Sequence, residues 1–349
     1  MLLELLEYDG DVSRLLLLVG VILGLVFGAA AQISRFCLRQ AVAGEPENRR
    51  SAIAIWLSAL ATGLIGAAFA QNAGLISLAD HRFTASTIPI IAILTGGALF
   101  GAGMIMTRGC VSRLTVLAGT GNTRAMLVLL VFAITAHAVM KGVLVPVRTS
   151  LGSLTIDLPF ARIGDLPLVF SIVVAIIVIA LLALTRAVQA RPSHLVLGAV
   201  IGLVAVTSWM VTSTLLFDEF DPQPVQAIAF TLPWADSLFW VLASTAIPAG
   251  FGVGFVGGVL LGSLLSALVR KEWELKGFTS GKQTVQYLVG GILMGIGGPL
   301  AGGCTIGAGL AGVSTGSIAA LLALIAIAGS GWLTAQILTR RSSLVLATA

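Results

Sequence analysis

All three cysteines of this 349-residue chain end the same local spacing. "GLVFGAAAQISRFC" (24–37), "GALFGAGMIMTRGC" (97–110) and "GILMGIGGPLAGGC" (291–304) each read G-x3-G-x8-C and close on Cys37, Cys110 and Cys304. A fourth copy, "GFGVGFVGGVLLGS" (250–263), keeps both glycines but ends in Ser263. The second and third copies align without a gap, so that Gly97, Gly101, Gly103, Gly109 and Cys110 match Gly291, Gly295, Gly297, Gly303 and Cys304. A lone buried cysteine is ordinarily a small apolar core residue, and G-x3-G ordinarily lets helices pack closely. Three thiols at one spacing, with none elsewhere, point beyond packing to chemistry.

Several kinds of thiol chemistry fit poorly. Three is an odd number and the copies are far apart, which argues against a disulfide framework. Thiol–disulfide enzymes usually need C-x-x-C, which is absent. Thiolates select soft cations such as copper(I) or mercury, yet the copies add only Met104, Met106 and Met294 as further soft donors. A soft anion fits better. A neutral thiol is polarizable and a weak S–H donor, and helix N-termini and glycine-rich nests offer N–H groups to anions. A ladder of neutral thiols can pass such an ion without holding it too tightly to leave. A membrane thiol redox enzyme and a soft-metal permease remain as alternatives.

The elements that must position these thiols are membrane helices. Hydrophobic residues make up 57% of the chain and charged ones 10%, against about 25% charged in soluble domains. Uncharged runs such as Leu166 to Leu184 and Leu195 to Leu216 are long enough to cross about 30 Å of hydrocarbon as helices. Barrel strands alternate polar and apolar over roughly ten residues, so continuous runs exclude a β-barrel and indicate an all-α, polytopic membrane protein. The pattern predicts about nine crossings at 15–33, 51–72, 88–106, 125–146, 167–185, 195–216, 237–269, 283–299 and 317–338. The 237–269 run is too long for one span and reads as a helix plus a half-helix. Segments 34–43, 108–119 and 302–313 are too short to cross and read as re-entrant or broken. The first apolar run follows Glu4, Glu7, Asp9 and Asp11 against a single Arg14, the wrong charge for a signal peptide, so it is expected to be retained.

Every second loop is basic: Arg35, Arg39, Arg49 and Arg50; Arg108, Arg113 and Arg124; Arg186 and Arg191; Arg270, Lys271, Lys276 and Lys282; Arg340 and Arg341. The others are nearly neutral (72–87 and 147–166) or acidic (Asp218, Glu219, Asp221, Asp236). The positive-inside rule then predicts the N-terminus outside and the C-terminus in the cytoplasm. The net charge of +5 is thereby assigned to topology and not to a nucleic-acid partner. The 97–110 copy is expected to run inward and the 291–304 copy outward, the signature of inverted-repeat transporters, whose sites lie where broken helices meet. The halves are drawn at 1–190 and 191–349. Glycine frees backbone for such breaks, which at membrane depth are tolerated only beside protein or a cavity.

The stretches "GGILMGIGGPLAGGCTIGAGLAG" and "GGALFGAGMIMTRGCVSRL" resemble the YeeE/YedE sulfur-transport family, over most of the chain. The resemblance implies an inverted-repeat helical fold in the bacterial inner membrane that takes up thiosulfate or a related sulfur anion. It also implies that Cys37, Cys110 and Cys304 line an hourglass-shaped path and hand the anion along through S–H···S and S–H···O contacts. Family members often work with a small cytoplasmic TusA-like sulfur carrier. Beside the cysteines, Gly109, Gly302, Gly303 and Gly307 are candidate backbone donors around the substrate. Arg108 and Arg113 bracket Cys110 where the second half has glycines, and serve either the anion or topology. His137 and Lys141, one turn apart inside a span, are candidates because ionisable residues there are functional by default; Lys141 can also snorkel. Trp56, Trp209, Trp240 and Trp332 are assigned to interface belts or packing. No P-loop or cofactor site is visible, and the reading is of a transporter, not an enzyme.

Overall fold

The computed structural model describes residues 12–78, 81–163, 167–188, 191–216, 224–245 and 248–347. The N-terminal acids Glu4, Glu7, Asp9 and Asp11, the loop acids Asp218, Glu219 and Asp221, and the division at residue 190 lie outside the described residues. Nearly all regular secondary structure among the described residues is helical: α1 (Val12–Ser34), α2 (Leu38–Ala43), α3 (Pro46–Asn72), α4 (Ile90–Met106), α5 (Val111–Gly119), α6 (Thr123–Lys141), α7 (Val145–Gly152), α8 (Pro167–Val188), α9 (Pro192–Met210), α10 (Thr231–Leu242), α11 (Phe251–Val269), α12 (Gly281–Leu300) and α13 (Ile318–Ala347). A helix satisfies its own backbone donors and acceptors, which hydrocarbon cannot do for it. Proline at the first position starts α3, α8 and α9, where its missing N–H leaves no bond unmade. Asn122 and Ser280 cap α6 and α12 through their side chains.

Seven stretches among the described residues are long and apolar enough to cross a membrane: Val12–Ala43, Pro46–Asn72, Ile90–Gly119, Thr123–Lys141, Pro192–Leu215, Phe251–Val269 and Ile318–Arg340. Of the other two segments drawn from the sequence, α8 contributes the shorter apolar stretch Ser171–Thr185. The other, α12, opens on Gly281, Lys282, Gln283, Thr284 and Gln286, which dilute its hydropathy. The long 237–269 run is broken between α10 and α11. Leu18, Ile22, Leu130, Ile134, Ile325 and Leu333 stay exposed, as lipid-facing side chains of a membrane protein would.

Glycine seams bring the repeat copies together in pairs. On α1, a Cβ at Gly20, Gly24 or Gly28 would collide with the backbone oxygens of Phe251, Phe255 or Val259 on α11, and Gly254, Gly258 and Gly262 return the contact to Leu17, Val21 and Leu25. This ascending register makes α1 and α11 parallel. The second seam descends: Gly96 meets Ala301 and Gly297, while Gly103 meets Gly290 and Met294. The 97–110 and 291–304 copies are therefore antiparallel neighbours. Of the two packed pairs, only the 97–110 and 291–304 copies run in opposite directions, because the 24–37 and 250–263 copies run the same way.

On one side of the bundle, a two-stranded antiparallel ribbon of Thr87–Ile88 and Ile156–Asp157 ties the two nearly neutral loops together.

Candidate functional site

Each cysteine sits at a break between two helical pieces. Cys37 stands between α1 and α2, Cys110 between α4 and α5, and Cys304 between α12 and a π-helical turn at Gly307–Gly312. The three breaks share a backbone device. Two residues before each cysteine the chain turns left-handed, at Arg35 (φ 54°), Arg108 (φ 57°) and Gly302 (φ 75°). Left-handed backbone costs a non-glycine residue about 1–2 kcal/mol, so Arg35 and Arg108 are held there by their surroundings. The Ser263 copy has no such break: Ser263 lies inside α11, its hydroxyl donates to Leu260 O at 3.0 Å, and it packs on Gly119. The copy without a thiol is the copy that stays a helix.

The three thiols are all free, buried and close to one another. Cys37 and Cys110 interact directly. The Cys110 Sγ shares a hydrogen bond with Ser112 Oγ at 3.1 Å. Thr305, next in sequence to Cys304, reaches Cys110, while its buried Oγ1 has no partner of normal hydrogen-bond geometry. Cys304 feels the charge state of Cys110 and accepts from the Gly307 N–H at 3.4 Å. The thiols thus form a series: Cys37, Cys110, Cys304. Among the described residues no group of three His, Cys, Asp or Glu side chains could hold a metal ion.

Cys37 lines a cavity of about 900 Å³ whose walls carry Arg35, Arg108, Arg113, Arg191, Arg270 and Lys276 with Glu272 and Glu274. Basic residues from four separate loops therefore converge on one mouth. Among them Arg113 feels both Cys37 and Cys110. Arg108 lines the same cavity. Of the glycines, Gly302 (φ 75°) and Gly303 (φ 155°) are required by backbone conformation. A Cβ added at Gly307 would stand 3.0 Å from the Ala229 Cβ, while one at Gly109 would make only ordinary contact with Leu114 at 3.5 Å; the Gly109 carbonyl accepts from the Thr107 hydroxyl at 2.8 Å.

His137 and Lys141 belong to a different neighbourhood. Lys141 Nζ donates to Asp236 Oδ1 at 3.0 Å, and the His137 ring stacks on Phe239, centroids 5.0 Å apart. Both contacts fasten α6 to α10, and neither residue lines the basic cavity.

The charge pattern of the sequence did not single out the loop on the opposite side of the bundle. The nearly neutral loop at 72–87 holds a short 3-10 turn, Arg82–Thr84, capped by His81. Arg82 stands over the Phe83 ring at 5.1 Å and interacts electrostatically with Cys304. It is solvent-accessible, yet enough protein surrounds it to lower its pKa from the usual arginine range. The loop is locked to the π-helical turn: Phe83 packs on Gly312, and Trp209, fully buried, donates from Nε1 to Ala311 O at 3.1 Å. The His81 ring meets Trp209 edge-on at 4.9 Å, and burial, with Arg82 beside it, lowers His81 to about 4. The missed signal was a lone arginine in a loop that the charge pattern assigns to the other side.

The family described as Sulphur transport matches residues 33–333 of the chain. Among curated proteins, the chain is similar to the thiosulfate transporter TsuA of Escherichia coli (strain K12), 25% identical over 84% of this chain and 87% of that protein. It is also similar to the thiosulfate transporter TsuA of Spirochaeta thermophila, 26% identical over 92% of this chain and 99% of that protein.

Proposed function

The chain belongs to the Sulphur transport family, and from that premise we propose that it carries thiosulfate or a closely related sulfur anion through the membrane along its three cysteines. The observation that carries the reading is the series itself: three buried thiols at three helix breaks, with Arg113 electrostatically coupled to Cys37 and Cys110 and Arg82 to Cys304. Thiosulfate has a soft terminal sulfur and a hard trioxide end. The guanidinium groups attract the charge at each mouth, where opposite charge is worth more than in bulk water. Between them the thiols offer S–H donors and polarizable sulfur, and the Gly307 N–H sets the Cys304 thiol. None of these contacts is an ion pair inside the narrow part, so the anion is held weakly enough to move on.

The antiparallel Cys110 and Cys304 copies support an inverted-repeat arrangement around a central site. The basic mouth then faces the cytoplasm of a bacterium, with the N-terminus outside. A small TusA-like sulfur carrier would meet the anion at that mouth.

The test is growth on thiosulfate as sole sulfur source of a bacterium lacking its own sulfate and thiosulfate uptake. Wild type is to be expressed with and without the carrier, beside Cys37→Ala, Cys110→Ala and Cys304→Ala at equal membrane levels. Growth with wild type that fails in the variants is the expected result. Growth in all three variants would remove the cysteine path and leave the transporter. Absence of growth with folded wild type and carrier would remove thiosulfate.

A further inference from the structure

One connected set of polar side chains in the basic cavity meets the thiol series at Arg113. Glu272, on the segment between α11 and α12, uses both carboxylate oxygens. Its Oε1 accepts from Arg270 Nε and Nη2 at 3.2 and 3.1 Å, and its Oε2 accepts from Gln32 Nε2 at 3.0 Å. Gln32, buried on α1, turns its other end to Arg113, whose Nη1 donates to Gln32 Oε1 at 3.5 Å. The amide orientation is thereby fixed: its donor faces a carboxylate and its acceptor faces a guanidinium. Three elements far apart in sequence, α1, α5 and the α11–α12 segment, meet in this relay.

Arg113 is the cation that feels both Cys37 and Cys110, so an anion leaving the thiols must pass it. A guanidinium left alone in a partly desolvated mouth would hold an oxyanion tightly, because charge-assisted, bidentate contacts to such anions are strong. A conducting path needs the opposite, since binding must be weak enough for exit. Glu272 supplies a resident negative charge that acts on Arg113. The hydrogen bond from Arg270 holds the Glu272 carboxyl below its usual range, against the effect of burial, so that charge is present at neutral pH.

We propose that Glu272 is a positioning residue that, through Gln32, holds Arg113 as a shared cation and so releases the transported anion into the basic cavity. The proposal rests on the anion-transport reading, and its test separates the two. The readout is the rate at which Cys37, the thiol lining the cavity, is modified by an anionic reagent, sulfonatoethyl methanethiosulfonate, divided by the rate with the cationic trimethylammonioethyl analogue. Peptide mass spectrometry on the full-length protein in vesicles reads Cys37 alone, and thiosulfate uptake by wild type is followed in parallel.

Glu272→Gln keeps the hydrogen-bond geometry and removes the charge. It is expected to raise the anionic-to-cationic ratio about threefold to tenfold, the size of one unscreened charge effect at a mouth narrower than the Debye length. Gln32→Leu removes no charge but cuts the relay, and is expected to raise the ratio in the same direction, with the double variant no higher than the stronger single one. Glu274→Gln is the control, because Glu274 lines the same cavity but pairs with Lys276 at 2.8 Å; its ratio is expected to stay within twofold of wild type. In uptake, Glu272→Gln is expected to lower KM and Vmax together, the mark of an anion held too long. A ratio unchanged in Glu272→Gln, or raised equally by Glu274→Gln, overturns the relay even where wild type transports thiosulfate. If Gln32→Leu does not fold, the Glu272 and Glu274 pair decides alone. Wild type that takes up no thiosulfate removes the transport reading, while the labelling ratio still decides the relay.

Discussion

Gly302 and Gly303 are adjacent, both left of the usual backbone range, and predicted to respond very differently to one added methyl group. Gly302 has φ 75° with nothing within 4 Å of a built Cβ, whereas Gly303 has φ 155° and its Cβ would stand 2.8 Å from Ala308 N and 3.2 Å from Ala308 Cβ. For Gly302→Ala the only cost is the left-handed backbone, about 1 kcal/mol. The corresponding positions already carry Arg35 and Arg108 at φ 54° and 57°, which shows that side chains are tolerated there. For Gly303→Ala the backbone cost is about 2–3 kcal/mol, and Ala308 must also move. Ala308 donates to Cys304 O at 3.0 Å, so moving it opens the first turn after the thiol. Gly302→Ala is therefore expected to lower the thermal midpoint in detergent by a few degrees and to keep at least half of wild-type thiosulfate uptake. Gly303→Ala is expected to lose nearly all uptake at equal folded levels. Fluorescence-detected size-exclusion after heating and radiolabelled uptake in vesicles measure both quantities. Equal damage from the two substitutions, or wild-type uptake by Gly303→Ala, would refute the reasoning, because backbone sign alone would then explain everything or nothing.

Two further outcomes follow from the His81–Arg82 loop on the side opposite the basic cavity. Arg82→Gln is expected to raise KM for thiosulfate about fivefold to tenfold with Vmax little changed, since one cation at a partly desolvated mouth is worth about 1 kcal/mol in capture; uptake over a range of substrate concentrations reads this, and an unchanged KM sinks the role. His81 is held neutral in the fold, at about 4 against 6.5 when free, so the unfolded loop binds the proton more readily. Stability of the His81–Trp209 contact is complete above pH 6.5 and is lost as the pH falls towards 4. The gap corresponds to at most about 3 kcal/mol, less because solvent reaches the ring. Acid is expected to change the emission of Trp209 in that window, and His81→Phe is expected to abolish the change; an identical titration in both proteins would exclude the contact as its source.

What the sequence determined by itself is everything that depends on local spacing and composition. Continuous apolar runs have one outcome in lipid, the helix, so the all-α architecture was legible. The G-x3-G-x8-C copies located all three breaks, because a glycine-rich stretch ending in a polarizable side chain is a local property of the chain. Gly302 could be read as a backbone requirement, but Arg35 and Arg108 in the same conformation could not, since nothing local favours arginine there. The fourth copy, at Ser263, looked equivalent and is instead uninterrupted helix. Tertiary structure alone decided which copies lie side by side and in what direction: α1 runs with α11 while α4 runs against α12, a matter of which glycine faces meet. It also placed His137 and Lys141, singled out by their intramembrane position, against Phe239 and Asp236 of α10 and away from the basic cavity. Arg82 interacts electrostatically with Cys304, and Glu272 reaches Arg113 through Gln32, across separations of more than a hundred residues. A long-range electrostatic contact leaves no periodicity and no motif, because Coulomb's law depends on where the charges end up and not on their order along the chain.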